Sequence, residues 1–449
     1  MKTIRYILFL STLFVSTKIV VFGQIEQIIG ITDSKYSVMR DHFYKQNPKY
    51  AEHNYGSKES EYLRIEHTDK NLTHFKRWEN FWANRLMPDG TFPSSELIIN
   101  AINQKQQQRL KQKKYEQLFA SDPQWSLVGP IQTPNGGGNG RINCITVHPN
   151  LTNLIWVGSA AGGAWKSTDF GDTWNTTCDD LFSMGVSDIA MPWDNPNIVY
   201  LATGDDDAGC TYSTGILKST DAGKTWNPTE LSFQTSSRQQ IYRLLAHPTQ
   251  AGKLYAATSQ GLYITTNAGV KWEKKTPTYN FRDLEIRPGS DIMIGCVGRD
   301  IYRSTDAGNT WTKLTTSIPS TIGRISLAIS PANPDYMYAL CSDNAKQSGF
   351  GGLYRSVDGG KTWVSRSTAP NILSHSVDGS GTGGQGWYDL TIACSYKQPN
   401  HIVIGGVNIW RQQMVGLLGL SVLIGMAIGV HLMFMLMFMT WSISLILTR

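Results

Sequence analysis

The chain carries little charge, little cysteine and no charge excess over most of its length. Charged residues make up 17% of 449, and the net charge of +6 resides in residues 1–120, where 18 Lys and Arg face 12 Asp and Glu; the remainder balances at 23 of each. A nucleic-acid partner requires a basic face that neutralises phosphates, and the balanced region excludes one. There are six cysteines and no C-x-x-C spacing, which removes the usual zinc and thiol-redox motifs. Cys144, Cys296, Cys341 and Cys394 lie in apolar, strand-like runs and read as small buried hydrophobes, leaving Cys178 and Cys210, in loop-like surroundings, as candidate partners in a pairing that spacing does not fix. What is plentiful is glycine, at 42 residues, and aromatics, at 11%, the composition of turn-rich β structure.

Residues 1–23 have the order of a signal peptide: Lys2 and Arg5, a short apolar run interrupted by Lys18, then Gly23. The expectation is export, to the medium or the cell surface. Residues 24–120 are polar and helical in pattern. Phe75, Trp78 and Trp82 are spaced three and four apart, as one helix face requires, and Pro93-Ser-Ser-Glu96 opens a second helix with a capping-type start. The Gln-, Lys- and Arg-rich run from Gln104 to Gln117 reads as a solvated helix face.

Residues 121–411 repeat. Five units share one spelling: Ser167-Thr-Asp-Phe-Gly-Asp-Thr-Trp174, Ser219-Thr-Asp-Ala-Gly-Lys-Thr-Trp226, Thr265-Thr-Asn-Ala-Gly-Val-Lys-Trp272, Ser304-Thr-Asp-Ala-Gly-Asn-Thr-Trp311 and Ser356-Val-Asp-Gly-Gly-Lys-Thr-Trp363. The tryptophans are 52, 46, 39 and 52 residues apart, the period of one four-stranded propeller blade. A short apolar strand precedes each unit, and further upstream comes a turn such as His148-Pro149, Asn195-Pro196, His247-Pro248 or Asn333-Pro334. The predicted fold is therefore all-β: an incomplete β-propeller with about five to six four-stranded blades present, preceded by a short helical segment.

The spelling has a physical reading. A tight hairpin leaves amides unpaired, and an Asp carboxylate beside a Ser or Thr hydroxyl accepts from them. Gly two positions after the Asp permits positive φ, and the closing Trp is an apolar plate for the neighbouring sheet. Asp169, Asp221, Asp306 and Asp358 are thus structural, and Asn267 keeps the turn-capping role without the charge. Trp174, Trp226, Trp272, Trp311 and Trp363 are the corresponding plates.

These units resemble the boxes of the Asp-box, or bacterial neuraminidase repeat, superfamily, which includes sialidases, xyloglucanase-type endoglucanases and the propellers of sortilin-type sorting receptors. The order of signal peptide, polar helical lead and boxed blades is similar to large secreted proteins of Bacteroidetes-type bacteria. The resemblance spans about Trp125 to Arg411 and implies the propeller; the same fold hosts hydrolases and pure binding proteins. In the xyloglucanase-type family one catalytic Asp stands two residues before a Gly-Gly-Ala-aromatic strand, and the resemblance aligns Ala160 there, in Ser159-Ala-Ala-Gly-Gly-Ala-Trp165. The partner carboxylate aligns with Gln385, in Gln385-Gly-Trp-Tyr-Asp389. A two-carboxylate glycosidase needs both groups, and as aligned neither is present. Arg141, Arg243, Arg282 and Arg324 recur at early-strand positions, as a sialidase arginine cluster would, and read first as salt-bridged blade residues.

Two loops remain as candidate sites. Asp205, Asp206 and Asp207 have the ingredients of a calcium loop without ordered ligand spacing, and read first as a solvated acidic loop. Gly379 to Trp387 is a glycine-rich, flexible-looking stretch that ends in Trp387, Tyr388 and Asp389, a set suited to stacking on a sugar with a carboxylate beside it; a core-packed strand entry is the equal alternative. Asp389 is the one candidate catalytic residue.

From Met414 to Thr448 there is no Asp, Glu, Lys or Arg. Read literally, 412–449 is a transmembrane segment, and only then does the membrane enter as a partner. A sixth box is due at residue 412, however. One permitted coding of Arg411 onward, with a single inserted base, spells Ser-Thr-Asp-Gly-Gly-Ala-Thr-Trp-Ser. The preferred expectation is a frameshifted tail. The functional expectation is a binding or scaffold module for extracellular glycans or proteins. The alternatives are a glycoside hydrolase, xyloglucanase-like or sialidase-like, with catalytic residues lost or unrecognised in this fragment, and a membrane-anchored sortilin-like receptor.

Overall fold

The computed structural model describes residues 35–50, 70–108 with gaps at 95, 99, 102 and 105–106, 141–178, 181, 185–207, 211–277, 280–413 and 420–422. The signal peptide, Cys210 and nearly all of the tail beyond residue 413 lie outside the described residues. Strands β1 to β24 run in chain order, four to a sheet, over residues 142–176, 186–232, 241–274, 281–313, 322–367 and 391–422. Each sheet is antiparallel with its strands in sequential order, so the described residues form a six-bladed β-propeller. The innermost strands, β1 (Ile142–His148), β5 (Val186–Ala190), β9 (Ile241–Ala246), β13 (Phe281–Ile286), β17 (Ile322–Ile329) and β21 (Thr391–Cys394), follow one another around a central channel. The sixth blade takes its outer strand, β24 (Leu420–Val422), from beyond residue 412, where the sequence had set a boundary.

The repeat unit forms the turn between the third and fourth strands, and its hydrogen bonds are those the spelling requires. In the first unit Ser167 Oγ donates to Asp169 Oδ1 at 2.7 Å, Thr173 N–H donates to the same oxygen at 2.9 Å, and Gly171 N–H donates to Ser167 Oγ at 2.8 Å. Asn267 does the same work with its amide oxygen, accepting from the Thr265 hydroxyl and the Lys271 N–H at 2.9 and 2.8 Å. The unit glycines have positive φ, as expected, but so do the residues before them: Phe170, Ala222, Ala268, Ala307 and Gly359. Sequence had not shown the reason for this second left-handed residue. In four units its carbonyl turns outward and accepts a bond from the preceding blade: Lys166 to Ala222, Lys218 and Tyr200 to Ala268, Tyr255 to Ala307, and Arg303 to Gly359. Each of these four boxes is a latch onto the blade before it.

The box tryptophans complete that contact. Trp226 is 1% exposed, meets Trp156 of the first blade edge-to-face at 6.0 Å and donates through Nε1 to Thr177 O. Trp272 and Trp363 are also buried in clusters shared with the blade before, whereas Trp174 and Trp311 are half-buried. Cys144, Cys296, Cys341 and Cys394 are buried in the blades, as their apolar surroundings predict. The turns after the innermost strands open on an acceptor: His148 Nδ1 receives the N–H of Asn150 and Leu151, His247 Nδ1 those of Thr249 and Gln250, and Ser395 Oγ those of Lys397 and Gln398.

Helices α1 (Tyr36–Gln46) and α2 (Lys70–Ala83) precede the propeller. Phe75, Trp78 and Trp82 are buried on one face of α2, against Tyr36, Met39 and Phe43 of α1. Ser94 Oγ accepts the Leu97 N–H, the cap expected at that second helix start. Tyr212 of the second blade joins this aromatic core, and Arg238 reaches Met39, so the lead sits on the propeller face that carries the loops between second and third strands. Among the described residues no helix is long and apolar enough to cross a membrane.

Candidate functional site

The channel has two mouths. One, the loop face, receives the β6–β7 connection; the other, the box face, holds the boxes and the His-Pro turns. On the loop face Asp205, Asp206 and Asp207 fold inward. The expectation of a solvated acidic loop is corrected: Asp205 is 1% exposed and Asp207 8%. The reason is the ring of arginines at the starts of the inner strands. Arg141 pairs with Asp205, Arg324 with Asp207 at 3.0 Å, and Arg282 lies 4.0 Å from Asp207. Asn143 and Gln240 add bonds to the Asp205 side chain and carbonyl. Burial and the neighbouring Asp207 push the Asp206 carboxyl well above its ordinary range, against the pull of Arg282. Among the described residues no group of three or more His, Cys, Asp or Glu is arranged to hold a metal ion. The Asp205 and Asp207 carboxylates are turned onto guanidiniums.

The glycine-rich stretch is not loose either. Gly384 N–H and Gly386 N–H donate to Gln347 O and Ser348 O, and Asn371 binds the carbonyls of Gly381 and Gly383. At its end Arg324 Nη1 donates to the carbonyls of Trp387 and Tyr388, at 2.8 and 2.9 Å. The Arg141 guanidinium lies 5.1 Å from the centre of the Tyr388 ring. Trp387, Tyr388 and Asp389 are half-buried, and Arg141 and Arg324 join Trp387 and Tyr388 to Asp205 and Asp207 in one constellation. Sequence had treated these as two separate loops.

Deeper in the channel Arg243 spans three blades. Its guanidinium is 2.8 Å from Glu285, 3.7 Å from Asp188 and 3.8 Å from Asp283. Asp188 also accepts the Leu244 N–H, and Asp283 the Leu327 N–H, so carboxylates stitch neighbouring inner strands together. Burial pushes the Glu285 carboxyl up despite Arg243. The arginines expected to be salt-bridged are so, and they converge on the axis.

The cluster divides the channel. Above it, toward the loop face, a cavity of about 120 Å³ is lined by Asn143, Asp206, Asp207, Arg282 and Arg324 among others. Below it a chamber of about 590 Å³ opens toward the box face, between β1, β5, β9 and β21, with Asp188 and Arg243 as its floor. Sequence analysis missed this chamber, although His148, Pro149 and Arg243 of its lining had been singled out there for other reasons.

With the fold in place, the comparisons fall on one side. A family model described as sortilin, neurotensin receptor 3 (Sortilin-Vps10) matches residues 260–373. A xyloglucanase of Paenibacillus sp is 29% identical over 240 residues, 43% of this chain and 23% of its own. Xyloglucanase Xgh74A of Acetivibrio thermocellus is 29% identical over 216 residues, 39% of this chain and 26% of its own. The solved GH74 enzyme of Niastella koreensis is 20% identical with a TM-score of 0.46, covering 61% of this chain and 44% of that one. The propeller is related to the sortilin and xyloglucanase types. The chain spans about a quarter of the length of the curated relatives it matches first. Ala160 and Gln385, the positions aligned with the xyloglucanase carboxylates, both lie on the loop face: Ala160 N–H donates to Arg141 O, and Gln385 Nε2 is 3.2 Å from His375 Nε2.

Proposed function

We propose that this chain is an exported β-propeller that binds extracellular glycans or proteins and has no hydrolytic chemistry of its own on the loop face. The observation that carries the reading is the state of the carboxylates there. Asp205 and Asp207 are each engaged by an arginine. A glycosidase requires a free acid and a free base or nucleophile flanking a bound sugar. Glu285, whose carboxyl is pushed up by burial, lies against Arg243 beside a cavity of about 120 Å³. Ligand sites usually run from about 300 to 1,000 Å³. Ala160 and Gln385 supply no carboxylate in their place. Export rests on the order of residues 1–23.

The relatedness to xyloglucanases supports a second reading, a glycoside hydrolase acting through residues outside the aligned pair, with Asp389 as its candidate acid. Incubation with plant and host glycans separates the two. Retention of a glycan on the immobilised protein without reducing-sugar release is the expected result. Release that disappears in Asp389→Asn would establish the hydrolase instead.

A further inference from the structure

The cavity between the loop-face mouth and the Arg243 cluster is lined by unequal numbers of acids and bases. Five carboxylates, those of Asp188, Asp206, Asp207, Asp283 and Glu285, stand against the three guanidiniums of Arg243, Arg282 and Arg324, a surplus of two negative charges. At about 120 Å³ the cavity has room for only a few waters to solvate them. A charge in such a place is paired, or its group takes up a proton and becomes neutral.

The partners of each carboxylate decide which ones stay ionised. Asp188 accepts the N–H groups of Ile189 and Leu244, one on each oxygen, and Asp283 accepts those of Leu284 and Leu327 in the same way. Asp207 faces Arg324 at 3.0 Å and Arg282 at 4.0 Å. Backbone donors and guanidiniums of this kind hold the charged form. The other two are worse served. Glu285 has Arg243, which Asp188 and Asp283 share, and among the described residues no hydrogen bond or ion pair reaches the Asp206 side chain. Burial pushes both carboxyls up. A buried acceptor of the same cavity also lacks a donor. Asn143, 7% exposed, gives its amide N–H groups to Val186 O and Asp205 Oδ1, and among the described residues nothing donates to its own Oδ1. A carboxyl that keeps its proton brings a donor to that cavity; a carboxylate does not.

We propose that the axis of the ring folds with two protons bound, one on Asp206 and one on Glu285, and that alkaline solution releases them and loosens the ring. Around Asp206 stand Asp205 and Asp207 of its own loop, with Arg282, Arg324, Tyr242 and Cys144 from the inner strands. Around Glu285 stand Asp283 of its own strand, Arg243, Asp188, and Tyr396 and Cys394 of the sixth blade. The cations in both sets are the three arginines already counted. Both carboxyls sit higher in the folded chain than in the unfolded one, so their contribution to stability is complete below about pH 4 and is lost as pH rises through the folded values. Deprotonation then sets Glu285 against Asp188 across the channel and Asp206 against Asp207. None of this depends on what the propeller binds.

The test is urea unfolding of the full chain from pH ~5 to ~9 at constant ionic strength. Asp206→Asn and Glu285→Gln put an amide in place of the protonated carboxyl. For each, the ratio of wild-type to variant unfolding constants should rise at least ~tenfold across that range, the change one bound proton gives per pH unit. The exposed Glu273→Gln should keep a constant ratio. Each ratio is taken at one pH, so the titrating histidines cancel. Ratios that stay flat for both channel variants would overturn the proposal. Infrared spectra of the wild-type chain need no variant: a protonated-carboxyl C=O band is expected at neutral pH and should vanish on alkalinisation, and its absence at neutral pH would overturn the proposal as well. If calcium chloride, added at unchanged ionic strength, abolishes the pH dependence of the wild type, a cation balances the surplus charge and the two protons are ruled out.

Discussion

Gly223 offers a sharp test of the latch between blades. Its φ is +87°, and a β-carbon placed on it would lie 2.3 Å from the Cη2 of Trp156 in the first blade. Gly289 provides the control, with a φ of +70° and nothing within 4 Å of the position a β-carbon would take. Both alanine variants force an L-residue into the left-handed region, a cost of about 1–2 kcal/mol. Only Gly223→Ala also drives a methyl into a packed aromatic, which overpacking puts at a further ~1–3 kcal/mol. The expected losses in urea denaturation are therefore about 1–2 kcal/mol for Gly289→Ala and roughly 2–5 kcal/mol for Gly223→Ala. Trimming the tryptophan in a Trp156→Phe, Gly223→Ala double variant should recover much of the excess, because the two changes share one contact. If Gly223→Ala and Gly289→Ala agree to within about 0.5 kcal/mol, the box does not bear on the preceding blade as described.

Other outcomes follow from the same geometry. Asn267→Asp should leave thermal stability nearly unchanged, since a carboxylate oxygen accepts the same two bonds, whereas Asn267→Ala should cost about 1–3 kcal/mol. Arg324→Ala strips the buried Asp207 of its nearest cation and two carbonyls of their donor, and should destabilise by about 3–5 kcal/mol in calorimetry. His148 and His247 have folded pKa values lowered by burial, so the unfolded chain binds the extra protons: stability is full above pH ~6.5 and falls as pH drops below it. Replacing both with serine, the residue used at 395, should flatten that part of a urea-midpoint profile. Asp169, held down to about 2 by the Thr173 hydroxyl and amide, acts in a separate window: its contribution is present above the unfolded value near ~3.9 and lost as pH falls through about 2. Asp169→Asn should remove that acid-range dependence from the profile.

The blades were legible because one turn is spelled five times and each letter has a local reason. Ser167, Asp169 and Gly171 make their bonds within a few residues of one another, so spacing alone determines them. The helix face of Phe75, Trp78 and Trp82 was legible for the same reason. The channel was not. Asp205 meets Arg141 across 64 residues and Asp207 meets Arg324 across more than a hundred, pairings set by ring closure rather than by any local pattern. An acidic triplet in a loop looks solvated until the arginines of other blades are placed around it. The box-face chamber is more hidden still, because Ile145, Ile189 and Leu245 look like ordinary strand positions until the ring leaves a space between them.

The latch also has a direction. Lys166, Tyr200, Tyr255 and Arg303 all reach forward to a box that the chain has yet to make, and Trp156 is covered only when Trp226 arrives. Each of these blades is thus finished by its successor along the chain. A defect in one of these boxes therefore bares the blade before it, through the lost bond to the residue ahead of the box glycine.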